Sequence, residues 1–157
     1  MARKRSVFLV FALVVSVAGI LAACGPGSDT PGEAMLADGP QEAQPGEVPA
    51  EFRDLVNPLA GDPQAIAAGS EAYVALCSQC HGPGGAGDGP SAAGVEPKPG
   101  DLTDAQRMPA LSDGYLYWRI SEGGAFEPFI SLMPAWGTLL SEQEMWQLVS
   151  YLRTLTP

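Results

Sequence analysis

One histidine, His81, occurs in 157 residues. A metal centre that needs two imidazoles therefore cannot be built within the chain. Cysteine is almost as scarce, with only Cys24, Cys77 and Cys80 present. A closed zinc site takes four ligands, typically two cysteine pairs, and this set supplies it poorly. Positive charge is the third shortage, at eight Lys and Arg against 18 Asp and Glu, a net charge of −10. Phosphate would be repelled, which excludes nucleic acid as a partner. A basic protein surface or a permanent neighbour suits this charge better, and acidity also keeps an exported chain soluble. No segment alternates apolar and polar residues at a period of two, so no β-strand is predicted. The expected fold is all-α with long Gly/Pro loops. A thioredoxin-like redox motif, which needs a βαβ context, is excluded with the strands.

What the chain does have begins at its N-terminus. Arg3, Lys4 and Arg5 precede an apolar and small-residue stretch over residues 7–23, which ends Leu21-Ala22-Ala23-Cys24. This reads as an export signal over residues 1–23. Leu-Ala-Ala-Cys resembles the bacterial lipobox, which implies a lipid on the thiol of Cys24 and a cysteine as the mature first residue. An uncleaved anchor helix is the competing reading, since 17 residues lie at the lower edge of a bilayer span. Either one puts the domain on the outer, extracytoplasmic face of the cytoplasmic membrane. Cleavage would leave five Lys and Arg against 18 Asp and Glu.

Residues 24–50 follow as the lipidated cysteine and an acidic tether rich in Gly and Pro, with no Lys or Arg. As a flexible coil the tether would span roughly 30 Å. The folded domain is expected over residues 51–157. Asp62-Pro63 marks a helix start, with Ile66, Gly69, Tyr73 and Leu76/Cys77 on one face. A second helix over residues 112–122 has a Ser112 cap and stops at Gly123-Gly124. The third opens on the capping box Ser141 and Glu144, followed by the stripe Met145, Leu148, Val149 and Leu152.

The chemistry concentrates in CSQCHGPGGAGDGP, residues 77–90. A disulfide between Cys77 and Cys80 would leave His81 without a role. Covalent haem attachment uses all three: two thioethers from Cys77 and Cys80, and His81 as the proximal iron ligand. One motif means one haem c. The sixth ligand must then be methionine, lysine, a terminal amine or water. Met35 lies in the tether and Met145 on the stripe of the last helix, while Met108 and Met133 each precede proline in loops. Met133, 52 residues after His81, is the favoured ligand because the chain has room to wrap to the opposite haem face; Met108 is the fallback. The glycine run superficially suggests a phosphate loop but lacks the Lys and Ser/Thr that would follow.

With CSQCH, the Gly69–Tyr73–Cys77 spacing, LMPAW and LVSYL in place, residues 58–157 resemble class I cytochrome c. That likeness implies a crossing of the first and last helices at Gly69, with Tyr73 meeting Leu148, Tyr151 and Leu152. It also implies that a proline carbonyl accepts the Nδ1–H of His81, with Pro90 expected and Pro97 or Pro99 as fallbacks. Leu102, Ile130 and Leu132 are candidate pocket residues. The lipobox, NPLAG, SDGYLYWRISEGG and LMPAWGTLLSEQEMWQLVSYLRTL are similar to the monohaem lipoprotein subunit of bacterial alternative complex III. This narrower likeness implies an electron carrier rather than an enzyme, working with other subunits of a quinol-oxidising respiratory or photosynthetic complex and with redox partner proteins. It puts Trp118, Arg119 and Trp136 near the haem or an interface. A tethered shuttle for another complex or oxidase is the alternative, as is a haem enzyme or sensor with an open sixth site.

Overall fold

A computed structural model describes residues 48–156. The expected signal, Cys24 and nearly all of the tether lie outside these residues. The described part is helical, with no strand among its residues: α1 (Ala50–Arg53), α2 (Pro63–Leu76), α3 (Ser78–His81), α4 (Asp113–Glu122) and α5 (Glu142–Leu152), plus 3₁₀ turns at Pro90–Ala92 and Met108–Ala110. This is the all-α fold expected from the sequence.

Each long helix starts where its side chains can satisfy the free N–H groups. The Asp62 carboxylate accepts from the N–H of Gln64 at 2.8 Å, and Pro63 occupies the first turn of α2. Ser112 accepts from the N–H of Tyr115 at 3.0 Å to begin α4, and Gly123, at φ 68°, ends it. Ser141 and Glu144 form the reciprocal capping box of α5. The Ser141 hydroxyl and N–H hold the Glu144 carboxyl below its usual range. That cap is therefore complete above the ordinary carboxylate pKa and is lost as pH falls through the lowered one. Ser141→Ala is expected to cost about 1 kcal/mol, read as a lower denaturation midpoint at neutral pH.

Helix α5 packs against both α2 and α4, and α4 also packs against α1. Helix α2 buries Ala65, Gly69 and Tyr73, spaced four apart, against α5. Ala65 rather than the expected Ile66 takes the inner position, and Ile66 is only half-buried. A Cβ on Gly69 would collide with the carbonyl oxygen of Gln147. Glycine is what lets the two backbones touch. Below the crossing, the Tyr73 and Tyr151 rings lie 5.2 Å apart, and Tyr73, Leu148 and Val149 are wholly buried. At the α1–α4 contact, Gly114 faces the carbonyl of Phe52. Val48 is itself in the core, so packing begins three residues ahead of the expected start at Glu51.

Polar clamps close the ends. Asn57 donates to the Ser150 hydroxyl at 2.9 Å and accepts from the N–H of Leu59 at 2.8 Å, joining the NPLAG segment to α5. Arg153 donates to Asp113 at 2.8 Å and to the carbonyls of Met108 and Leu111 at 2.7 and 2.6 Å. One side chain thus ties the end of α5 to the start of α4 and to the 3₁₀ turn between them. Arg153→Ala is expected to destabilise the domain by about 2 kcal/mol, because three charge-assisted bonds are lost together. Thermal unfolding of the variant measures it.

Candidate cofactor site

Cys77 caps α2, and the chain turns at once into the single turn of α3, so Cys77, Cys80 and His81 follow one another around one helical turn. The N–H groups of Cys80 and His81 both return to the Cys77 carbonyl, at 3.1 and 2.9 Å. Gly82, at φ 81°, then breaks the turn, and its carbonyl accepts from the buried Tyr73 hydroxyl at 2.7 Å. Tyr73 thereby links the α2–α5 crossing to the residue beside His81. Burial raises its phenol pKa first and the nearby Cys77 second, so it stays a neutral donor.

The glycines after His81 fold the loop back under this turn. The Gly87 N–H reaches the His81 carbonyl at 2.8 Å and the Gly89 N–H that of Cys80 at 3.1 Å. Gly87, at φ 74°, lies so close to the Pro99 carbonyl that a side chain would strike it. The Leu102 N–H meets the Gly85 carbonyl at 2.7 Å. These contacts draw the 99–102 segment against the histidine, and the Gly100 carbonyl lies 3.0 Å from His81 Nδ1. The carbonyl expected from Pro90 is thus supplied by Gly100. Gly89 presses on the backbone of Ser78 and Gln79, which turns Pro90 outward into an exposed 3₁₀ turn. The expected fallback Pro99 is the immediate neighbour of the observed acceptor.

With Nδ1 engaged as the donor, Nε2 is the nitrogen left to bind iron. Burial pushes the His81 pKa down, against the Gly100 bond, which pushes it up. The neutral ring is the form a metal takes. Cys77 is likewise a neutral thiol, pushed up to about 11 by burial and then by Cys80. No disulfide joins the two cysteines, and among the described residues no cluster of His, Cys, Asp and Glu is placed to hold a bare metal ion.

All three motif residues line a cavity of about 510 Å³, a size that suits a large ligand. Met133 and Met108 line it too. Met133 is held by the end of α4: its carbonyl accepts from the Gly124 N–H at 2.9 Å, and just beyond it the N–H groups of Trp136 and Gly137 reach the carbonyls of Ile120 and Ser121. Gly123 backs onto the chain from Met133 to Ala135, leaving no room for a side chain. Met108 belongs to the core and is 1% exposed, whereas Met133 is half-buried. Met145 is in the core without reaching the cavity, as its place on the stripe implied.

Of the expected pocket residues, Leu102 and Leu132 line the cavity and Ile130 does not. Its backbone, at φ 41°, has turned over, and its side chain is 58% exposed. Arg119 and Trp136 face the cavity, while Trp118 is buried behind it among Tyr115, Phe126 and Phe129. Sequence reasoning missed Gly100 and Arg107, both of which line the cavity. Gly100 carried no local signal, because its role comes from a loop 19 residues away.

The donor set fits a haem. Two thiols and an oriented imidazole occupy one turn, thioether side chains are at the lining, and the walls are apolar. Against known proteins, the family model for cytochrome c oxidase, cbb3-type, subunit III matches residues 64–152. Among solved structures, a chain of the reducing HAO-like protein complex of Kuenenia stuttgartiensis is similar, at 31% identity and a TM-score of 0.54. The match covers 64% of this chain and 47% of that one, so this chain corresponds to about half of that neighbour. No curated protein matches the sequence. Fold, motif turn and family match converge on electron transfer by a c-type cytochrome with haem c as its cofactor, and the chain belongs to the family of cytochrome c oxidase, cbb3-type, subunit III.

Proposed function

We propose that the domain carries one electron at a time through a single covalently held haem c, ligated by His81 and Met133, as the lipid-anchored subunit of a quinol-oxidising complex of the alternative complex III type. The observation that carries the site assignment is the His81 ring. It is the chain's one imidazole, it is fixed by the Gly100 carbonyl, and it shares its helical turn with both thiols. When bound, haem supplies an iron that cycles between two oxidation states. The protein holds it and keeps it dry. Cys77 and Cys80 would hold the haem through thioethers, each S–H adding across one vinyl group with no net change in oxidation state. His81 donates to Gly100 from Nδ1, which leaves Nε2 to bind iron, and Met133 would supply a thioether from the far loop. Leu102, Leu132, Leu148 and Trp136 would give the haem apolar walls. A carrier with such walls reorganises little on gaining or losing charge.

Placement on the outer face of the cytoplasmic membrane, with Cys24 lipidated, rests on the N-terminal sequence. The proposal of partner subunits rests on the acidic charge and on the neighbour in Kuenenia stuttgartiensis, which is part of a protein complex. The test is purification of the full chain from membranes. One haem should stay with the polypeptide after denaturation, the mature N-terminus should be an acylated Cys24, and quinol-oxidising subunits should co-purify. Cys77→Ala with Cys80→Ala should abolish retention. Haem that washes out of the wild-type chain on denaturation would overturn covalent attachment, and an uncleaved N-terminus would overturn the lipid anchor. A domain purified alone would favour a tethered shuttle.

A further inference from the structure

Tyr73 is wholly buried and stands in the wall of the cavity with Cys77 and His81. Its ring packs against that of Tyr151, 5.2 Å away, and a phenylalanine would fill the same place. The hydroxyl needs a separate reason, because a buried O–H is costly unless it is bonded. It donates at 2.7 Å to the carbonyl of Gly82, the residue after the histidine.

Gly82 begins a relay of backbone bonds. Its carbonyl also accepts from the Gly85 N–H at 3.2 Å, and the Gly85 carbonyl accepts from the Leu102 N–H at 2.7 Å. Two residues before Leu102, the Gly100 carbonyl lies 3.0 Å from His81 Nδ1. Both relay glycines are buried. A Cβ at Gly82 would run into the Asp88 carboxylate, and one at Gly85 would press on Leu155, so the turn has little slack in which to re-form. Gly87 and Gly89 tie the same loop to the carbonyls of His81 and Cys80, that is, to the motif turn itself. Tyr73 ties it to the α2–α5 crossing, which gives the core of the domain a hold on the direction of the histidine ring.

We propose that the Tyr73 hydroxyl is a positioning group for electron transfer: through Gly82 and Gly85 it holds the loop whose Gly100 carbonyl orients His81. The inference rests on the haem reading above. A carbonyl that accepts from Nδ1–H makes the imidazole a stronger donor to iron through Nε2. A stronger donor favours the ferric state, so a firmly held Gly100 carbonyl keeps the potential low. Loss of the Tyr73 hydroxyl loosens the relay, weakens the Nδ1–H bond and favours ferrous iron.

The experiment uses the haem-loaded full chain, with a redox titration and proton NMR of the ferrous protein to follow hydrogen exchange at His81 Nδ1–H. Tyr73→Phe keeps the ring and removes the hydroxyl. It should raise the midpoint potential and speed Nδ1–H exchange roughly fivefold, the factor that one neutral hydrogen bond is worth. Tyr151→Phe, which keeps the ring contact and leaves the Gly82 bond alone, should behave as wild type in both. A Tyr73→Phe protein that only melts earlier, with unchanged potential and exchange, would make the hydroxyl purely structural and overturn the proposal. A shifted potential with unchanged exchange would overturn the relay. The wild-type chain gives a test that needs no variant: His81 Nδ1–H and the amides of Gly85 and Leu102 should share one level of protection, and a much faster Nδ1–H would sink the idea. Haem that is not retained by the wild-type chain is a separate outcome and would overturn the haem reading itself.

Discussion

Met133→Ala is expected to remove the weak near-infrared methionine-to-iron band of the oxidised protein and to lower the midpoint potential, while covalently attached haem remains. The sign follows from the ligand: a thioether favours ferrous iron, so its loss favours the ferric state. The magnitude is on the order of hundreds of millivolts, inside the about 0.8 V that axial ligands span. The loop geometry argues for a clean effect. Met133 is anchored through its own carbonyl to Gly124 and through Trp136 and Gly137 to the end of α4, so truncating the side chain leaves the backbone bonds in place. Met108→Ala is the decisive companion. Met108 lines the same cavity but is packed in the core. Its truncation should cost about 2–5 kcal/mol of stability and keep the band. A band that survives Met133→Ala and vanishes in Met108→Ala would reverse the assignment. A band missing from the wild-type protein would favour an open sixth site.

Gly69→Val should be the most damaging single change to the fold. The first carbon of any side chain at this position runs into the Gln147 carbonyl, and Tyr151 lies close behind. The obstacle is backbone, which cannot rotate away, so α2 and α5 must separate. Overpacking of this kind costs about 1–3 kcal/mol or more. Here it is also expected to loosen the Tyr73–Tyr151 contact and, through the Tyr73 hydroxyl, the Gly82 carbonyl beside His81. Gly69→Ala should lose less, because alanine recovers about 1 kcal/mol of helix propensity. Gly84→Ala is the control: nothing lies within 4 Å of a Cβ there, and stability should not change. Thermal unfolding of the three haem-loaded variants tests the order. Equal midpoints for Gly69→Val and Gly84→Ala would show that the crossing tolerates a side chain.

The two experiments probe different kinds of information. Local chemistry was legible in the sequence. Asp62-Pro63, Ser112 and the Ser141/Glu144 box set the helix starts, because a cap acts within three residues of its own position. The thiol pair and histidine were equally plain, since one helical turn brings them together whatever the rest of the chain does. Gly69 could be picked out by its spacing from Tyr73, though only the neighbouring helix explains why it must be glycine.

Contacts between distant loops could not be read in the same way. Pro90 was the expected partner of His81 by its offset, yet the partner is Gly100, because Gly85 and Gly87 draw the 99–102 segment inward while Gly89 sends Pro90 outward. Ile130 was expected in the pocket, but a backbone turn at φ 41° leaves it in solvent. Arg119 was expected near the haem or an interface, but only the fold laid it across Phe129 and left Nη1 without a partner. The sequence by itself determined the helices, the chemistry of the motif and the need for a non-histidine ligand opposite His81. Only the tertiary structure decided which carbonyl orients that histidine and which side chains line the cavity. The physical reason is range: capping and helical spacing act over a few residues, whereas a buried wall is assembled from segments whose approach depends on the packing of the whole domain.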